Sequence, residues 1–272
     1  MTNREQWLSF ARKQKIFEKR YARRFLAVIR EGNKAFADAR LDASRLDVLI
    51  TPLSYRELYL NLYKEAAIPA AKSSYNETRR KAVKFTGLGR DELWISEVVR
   101  YIETNGLEML TQSVSDTHKK ILLKLLQQGI DDGLSYEETV RLIINNRVWV
   151  ANAMRIARTE SVRAMNYGHM VGAAALQFET DKVWISARDA RTRGADGEDQ
   201  FDHYHMNEQR VGYNDPFFDA RRKEPIMFPG DPHASSGNTI NCRCRVIFEP
   251  KRDANGRLIP KMPQLPRLSA TL

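Results

Sequence analysis

Residues 149–177 have the sequence WVANAMRIARTESVRAMNYGHMVGAAALQ, and this stretch decides the fold together with the residues on its C-terminal side. Its pattern predicts one long helix. The character of the chain changes at residue 178. KVWIS, at 182–186, is a short β-type run, and the segment after it is rich in glycine and proline, which favour turns and loops. The sequence therefore predicts a mainly α, α+β protein, in which an N-terminal helical bundle precedes a small loop-rich α+β module with short strands.

Further helical patterns lie before this stretch. Apolar side chains recur at spacings of mostly 3, 4 or 7 near the N-terminus, from Trp7 to Ile29, which predicts an amphipathic helix whose aromatic face belongs to a core or a docking surface. A second helix is expected to begin after Pro52 and to stop near Pro69. Ser135 and Glu138 form a capping box that opens another. Residues 91–104 and 107–128 are also predicted to be helical.

The C-terminal part of the chain is expected to be less regular. TINCRCRVIF, at 239–248, alternates like a strand and carries both cysteines. After it, four prolines and few apolar anchors predict a tail that is extended and mobile until bound. The predicted organisation is a basic helix and helical body over 1–177, a small module over 178–249 and a proline-containing basic tail over 250–272.

Charge is concentrated at the two ends of the sequence. The net charge is +10, of which residues 1–30 carry +7 and residues 245–272 carry +4, whereas 31–244 is nearly neutral. Basic ends are common contact arms for nucleic acid or for acidic protein surfaces. The alternative is a solvated helix face and a disordered tail. The residues predicted to contact nucleic acid or an acidic protein surface are Arg12, Lys13, Lys15, Lys19, Arg20, Arg23, Arg24, Lys251 and Arg252.

Composition excludes several classes of protein. No uncharged apolar run approaches about 18 residues, so a membrane span is not expected. The basic N-terminus has no apolar core, which argues against a secretory signal. Two cysteines are too few for a disulfide scaffold and suit a reducing cytosol.

The cysteines suggest a metal site. On a strand, Cys242 and Cys244 would point to the same face, so both thiolates could reach one ion. Histidines at 203, 205 and 233 and the carboxylate of Asp231 lie upstream. Two thiolates with one or two imidazoles would form a tetrahedral structural zinc site, which would stabilise a module with little core. The alternative is a pair of reduced, buried cysteines that pack as small apolar side chains.

A second group of polar residues is interpreted mainly as structural. Arginine, glutamate, aspartate and threonine side chains on the 149–177 helix and in the following loop could lock the small module onto the helix. They could instead form a catalytic Arg/Ser/Glu set, but no recognisable motif ties a base to a nucleophile, and no phosphate loop or dinucleotide fingerprint is present. No catalytic residue is assigned. The predicted network comprises Arg158, Thr159, Glu160, Asp189, Arg191 and Arg193.

Five ordered motifs over about residues 110–248 resemble the phage Mu protein F-like family of head morphogenesis, or minor head, proteins. Where that family usually has Leu-Asp-Gly after its histidine, this chain has Met206-Asn207-Glu208, without the glycine of a tight turn. The motifs are Arg158-Thr159-Glu160 with Asn166 and Gly168, Trp184-Ile185-Ser186 with Asp189, Arg191 and Arg193, His203, Pro229-Gly230-Asp231-Pro232, and Asn241-Cys242-Arg243-Cys244.

The resemblance implies a non-enzymatic minor capsid protein of a tailed phage, located in the capsid interior or at the portal vertex, and in the host cytoplasm during assembly. Its expected partners are the portal protein, the major capsid or scaffolding protein, and double-stranded DNA bound through phosphates. The resemblance also favours one structural zinc ion on His203, Cys242 and Cys244, with Asp231 or His233 as the fourth ligand. The main alternative is a metal-dependent nuclease or an Arg/Ser/Glu-type transferase carried in the virion, and a host DNA-binding protein is a third.

Overall fold

A computed structural model describes residues 2–82, 100 and 107–261 and confirms the mainly α, α+β prediction. No strand lies before residue 177 in the described part, and the helix predicted at 91–104 falls outside it apart from residue 100. The helices are α1 Asn3–Asp38, α2 Leu46–Leu49, α3 Leu53–Ala82, α4 Leu107–Asp131, α5 Tyr136–Ile144, α6 Val148–Ala174 and α7 Ser236–Thr239, with a 3₁₀ turn at Ala43–Arg45. The strands are β1 Thr180–Ile185, β2 Arg210–Gly212, β3 Phe217–Phe218, β4 Pro225–Ile226 and β5 Arg245–Pro250.

Helix α1 is longer than its aromatic pattern and is packed along its whole length. A capping box between Thr2 and Glu5 starts it. Phe10, Tyr21 and Phe25 are buried, so the aromatic face belongs to the core, as predicted. The α1 helix packs mainly against α6, which leaves the opposite, basic face of α1 in solvent.

Helix α3 continues through Pro69, which corrects the expectation that it stops there. Proline removes one N–H from the helix ladder, at a cost of about 3 kcal/mol. Pro69 lies on the exposed side of α3, whereas Ala67 and Ala71 are buried against α6. The close packing of the two helices on both sides of the proline therefore outweighs the lost hydrogen bond.

Two glycines make this close packing of α3 and α6 possible. A Cβ atom at Gly168 would overlap the backbone carbonyl of Ala67, and one at Gly172 would overlap that of Ala71. Only glycine lets the helix backbones approach this closely. Gly168, one of the motif residues, thus has a packing role.

The main sheet is antiparallel with strand order β2-β1-β5. Trp184 on β1 pairs with Val246 on β5, and both face the core that α6 forms. Val183 and Ile247 face the other side, where Trp7 of α1 covers them. Each face of the sheet is therefore packed against a helix.

The segment 239–248 is not one strand, which is a second correction. Thr239 ends α7, and β5 begins only at Arg245. Asn241 has a φ of 59°, in the left-handed region that asparagine tolerates better than most residues, and its N–H donates to Thr159 Oγ1 on α6 at 3.0 Å. Cys242 and Cys244 lie between this turn and β5.

The described part of the tail is ordered, contrary to the expectation that it is mobile. Its backbone pairs with the segment before β1: the Lys251 N–H donates to the carbonyl of Glu179 at 2.9 Å, and the Lys261 N–H donates to that of Gln177 at 3.0 Å. The Lys251 ammonium is 3.3 Å from the Glu179 carboxylate. Residues 262–272 lie outside the described part.

The turn at Met206-Asn207-Glu208 forms without a glycine. Glu208 has a φ of 68°, in the left-handed region. Its N–H donates to the Trp184 carbonyl at 2.7 Å, and the Gln209 N–H donates to the Met206 carbonyl at 2.8 Å. These backbone hydrogen bonds hold a conformation that glycine would adopt without strain.

Candidate metal centre

Three of the predicted ligands meet in the interior of the module. His203 Nδ1 lies 3.7 Å from Cys242 Sγ and 3.7 Å from Cys244 Sγ. All three side chains are at most 2% exposed, and their ligand atoms lie within 4.8 Å of one another. The two cysteines are not joined by a disulfide. Both cysteine side chains reach the same place although Cys242 and Cys244 precede the strand.

The other ring nitrogen of His203 is held by a chain of two further side chains. His203 Nε2 is 2.8 Å from Asn238 Oδ1, and Asn238 Nδ2 donates to Glu224 Oε2 at 2.6 Å. Because the carboxylate accepts from the Asn238 amide nitrogen, the amide oxygen faces the imidazole and accepts from Nε2–H. The lone pair of Nδ1 therefore points toward the two sulfurs. Asn238 and Glu224 were not predicted, since no local pattern links positions so far apart in sequence.

Asp231, His233 and His205 do not join this group. The Asp231 carboxylate accepts from the backbone N–H groups of Met227 and His233, at 2.8 and 2.9 Å. The ring of His205 is 2.8 Å from the Asp202 carboxylate. Among the described residues, the only group of three or more metal-ligating side chains is that of His203, Cys242 and Cys244.

Arg243, between the two cysteines, points to the opposite side. Its guanidinium donates twice to the Asp189 carboxylate, at 2.6 Å in each case. This ion pair holds the pKa of Asp189 well below its usual value. At the cysteines, burial raises the pKa of Cys244, whereas the hydrogen bond from the neighbouring thiol, together with His203, lowers that of Cys242.

The predicted polar network joins α6 to the module. Thr159 accepts from the Asn241 N–H, as described above, and Arg158 donates to the Asn241 side chain at 3.0 Å and to Glu18 of α1 at 2.7 Å. Glu160 pairs with Arg163 at 2.5 Å, and Arg163 donates to the Gly230 carbonyl at 2.7 Å.

Asn166, a further motif residue, bridges the same two parts. It donates to the carbonyls of Pro229 and Cys244 and accepts from the Val246 N–H, at 2.9 to 3.0 Å. Arg193 donates to the Ile240 carbonyl. The side chain of Arg191 is 80% exposed and lies at the edge of the network, 3.9 Å from Asp189.

A second candidate site is the solvent face of α1. Arg20 and Arg24 share the carboxylate of Glu65, but the other predicted cations of α1 form no ion pair within the described residues. Two more cations on the same face were missed, because the helix extends beyond the aromatic pattern. The α1 basic stripe, as we call it, consists of Arg12, Lys15, Lys19, Arg23, Arg30 and Lys34, all exposed.

The predicted contact residues near the C-terminus, unlike most of those on α1, have partners within the fold. Arg252 donates to the carbonyls of Gly256 and Ala82, and Lys251 pairs with Glu179. Both remain exposed, but their polar atoms already have partners in the fold. The α1 basic stripe is therefore the stronger candidate for a contact surface.

Comparison with known proteins supports the family suggested by the motifs. Residues 119–247 match the family model described as phage Mu protein F like protein. The comparisons with curated proteins and with solved structures give no match. No helix in the described ranges has both the length and the hydrophobicity needed to span a bilayer. Residues 119–247 therefore form a phage Mu protein F-like region, which confirms the family that the motifs predict and indicates a phage head morphogenesis protein.

Proposed function

We propose that this chain is a minor head protein that acts in procapsid assembly and in packaging or delivery of the genome, at the portal vertex or on the inner capsid surface. Its helical body binds the portal or inner shell, and the α1 basic stripe contacts DNA. The stripe is the observation that carries this proposal, because its exposed cations form no ion pair with an acid of the described residues.

The geometry of the stripe suits the backbone of a duplex. From Arg12 to Lys34 it runs about 33 Å along one straight face. Because the opposite face of α1 is buried in the core, the charges are held in a fixed row. Lysine and arginine side chains on a helix that does not enter a groove contact phosphates, which carry no sequence information. The expected binding is therefore independent of DNA sequence and strongly dependent on salt.

The test is a salt titration of binding to double-stranded DNA of random sequence. A variant with Arg12, Lys15, Lys19 and Arg23 each changed to Gln should lose at least about tenfold in affinity at low salt, and the slope of log K against log [salt] should fall by roughly 3 to 4. The matched control carries the same charge change on α4, on α5 and directly before α6, at Lys120, Lys124, Arg141 and Arg147, all exposed. Equal losses in the two variants, or no binding by the wild-type chain at low salt, would overturn the DNA contact.

Portal binding and enzyme activity need separate measurements. The full chain should co-sediment with purified portal protein from the same phage, and the stripe variant should retain this binding if the helical body docks. Failure of the wild-type chain to co-sediment would contradict portal docking. Cleavage of the DNA in the binding reactions, abolished by a chelator, would instead favour the nuclease alternative.

A further inference from the structure

We propose that His203 Nδ1, Cys242 Sγ and Cys244 Sγ bind one Zn²⁺ ion with a structural role, and that Asn238 and Glu224 orient the histidine for it. This inference is independent of the proposed function, because it concerns how the module is held together. It selects three ligands from the six residues that the sequence suggests, and it adds two residues that the sequence does not.

The distances between the ligand atoms fit a tetrahedral zinc site. With Zn–S bonds of about 2.3 Å and Zn–N bonds of about 2.0–2.1 Å, a sulfur and a nitrogen on the same ion lie about 3.5 Å apart. The two distances from His203 Nδ1 to the cysteine sulfurs are both 3.7 Å. One ion can therefore contact all three atoms with little movement of the side chains.

The surroundings of His203 are those of a metal ligand. A zinc-binding imidazole usually donates its second N–H to a carboxylate or carbonyl oxygen, which fixes the ring and makes the ligating nitrogen more basic. Here Asn238 Oδ1 accepts from Nε2, and Glu224 in turn holds the Asn238 amide. Glu224 is itself fixed, because it also accepts from the Ser235 hydroxyl at 2.7 Å.

A thiol nucleophile is the competing interpretation of the same atoms. One cysteine, a histidine and an asparagine in this order of contacts also occur in cysteine hydrolases. A nucleophile must reach a substrate, however, and both sulfurs are buried. Moreover, the single lone pair of Nδ1 can accept from only one thiol, although both sulfurs lie equally near to it. A zinc ion uses both, and the arrangement favours zinc for that reason.

The remaining coordination position has no protein side chain assigned to it. The carboxylate of Asp231 accepts from two backbone N–H groups, and no further His, Cys, Asp or Glu of the described residues joins the three. Water or another small ligand would complete the site. Since the ligands are buried, the ion would hold the segment before β5 against the loop that carries His203, as structural zinc ions do in small modules.

The first experiment uses the unmodified full chain. Purified without chelators, it should contain about one zinc per chain by mass spectrometry of the metal. Cobalt(II) in place of zinc should give tetrahedral d–d bands and a thiolate charge-transfer band. Chelation should lower the midpoint of thermal unfolding, and zinc should restore it. A chain that carries no metal and gains no thermal stability from added zinc or cobalt would overturn the proposal.

Variants then assign the ligands. Cys242→Ser, Cys244→Ser and His203→Gln should each lose stoichiometric zinc, and Asn238→Ala should weaken zinc binding by about 10- to 100-fold. His233→Gln is the matched control, at a histidine outside the group, and should bind zinc as the wild type does. Helical circular dichroism checks that each variant folds. Rapid alkylation of a single cysteine in the metal-free native chain, abolished by His203→Gln, would establish the nucleophile interpretation instead.

Discussion

The interiors of the helical body and the module differ in the side chains that they contain. The body buries large aromatic and aliphatic side chains, such as Phe25, Tyr59 and Trp149, between long helices. The module has strands of only two to six residues, and its interior contains many polar side chains. Asp219, for example, accepts from three backbone N–H groups, those of Asp202, Arg221 and Arg222.

This difference changes how an acidic residue should be interpreted in each part. A loop-rich segment leaves backbone N–H groups without partners in regular structure, and each needs an acceptor if it is buried. In the module, carboxylates supply many of these acceptors, as Asp231 does in the Pro-Gly-Asp-Pro turn. An aspartate in such a turn is therefore weak evidence for a metal ligand, whereas two thiols that meet one imidazole are stronger evidence.

The largest expected effect breaks the close packing of the body. Gly168→Ala should lower the free energy of unfolding by about 3 kcal/mol, because the new methyl group forces α3 and α6 apart. Chemical denaturation measures this change. Met154→Ala, at an exposed position on the same helix, is the control and should stay within about 0.5 kcal/mol of the wild type. Equal effects would show that the contact between the two helices is not tight.

The next largest effect is a loss of stability of the helical body at low pH. Burial lowers the pKa of His118 from 6.5 to about 4. Among the described residues, the ring forms hydrogen bonds with Tyr55 Oη and the Asn33 amide. A base whose folded pKa is lowered contributes stability above its unfolded pKa and loses it as pH falls toward the folded value. The loss on going from neutral pH to pH 5 should be about 2 kcal/mol from this residue.

Denaturation curves of the wild type and of His118→Gln between pH 8 and about 4 measure how much of this loss of stability comes from His118. His169, whose pKa burial also lowers, remains in both proteins, so the variant should keep part of the slope. Identical slopes would contradict the assignment to His118.

The smallest expected change in stability comes from an ion pair in the module. Asp189→Asn should lower stability at pH 7 by about 1 kcal/mol, since the carboxylate is 35% exposed and solvent weakens its ion pair with Arg243. Because Arg243 lowers the pKa of Asp189 from its usual 3.8, the difference from wild type should be complete above that pH and shrink below it. Asp47→Asn removes an ion pair of an 86% exposed aspartate in the body and should change stability by less than about 0.5 kcal/mol.

The parts of the fold that could be predicted are those with local causes. The spacing of apolar residues in α1 and the Ser135–Glu138 capping box depend on neighbours within one or two turns, and the structure confirms both. The passage of α3 through Pro69 depends on Gly168 and Gly172, which are about 100 residues away in sequence and could not be recognised as its partners.

The candidate metal centre likewise has features with local causes, which could be predicted, and features that arise only in the tertiary fold. The two cysteines lie close together because they are two residues apart, which is a local property. Their contact with His203 depends on how the loop between β1 and β2 folds. The family resemblance predicted this contact, whereas the spacing of residues along the chain did not. Other contacts arise only from the tertiary fold, so no sequence pattern predicts them. These are the hydrogen bonds of Asn238 and Glu224 and the pairing of Glu18 with Arg158.

The contact between the first turn of α1 and the segment around β5 has a consequence for the order of folding. Trp7 donates its indole N–H to the Arg243 carbonyl at 3.0 Å, and Arg245 donates to the Gln6 carbonyl at 2.7 Å. These partners are more than 230 residues apart, so the contact closes a very long loop, and we expect it to form late. During synthesis the first turn of α1 leaves the ribosome long before its binding surface exists. Protection of this turn from hydrogen exchange would therefore report that β5 has docked.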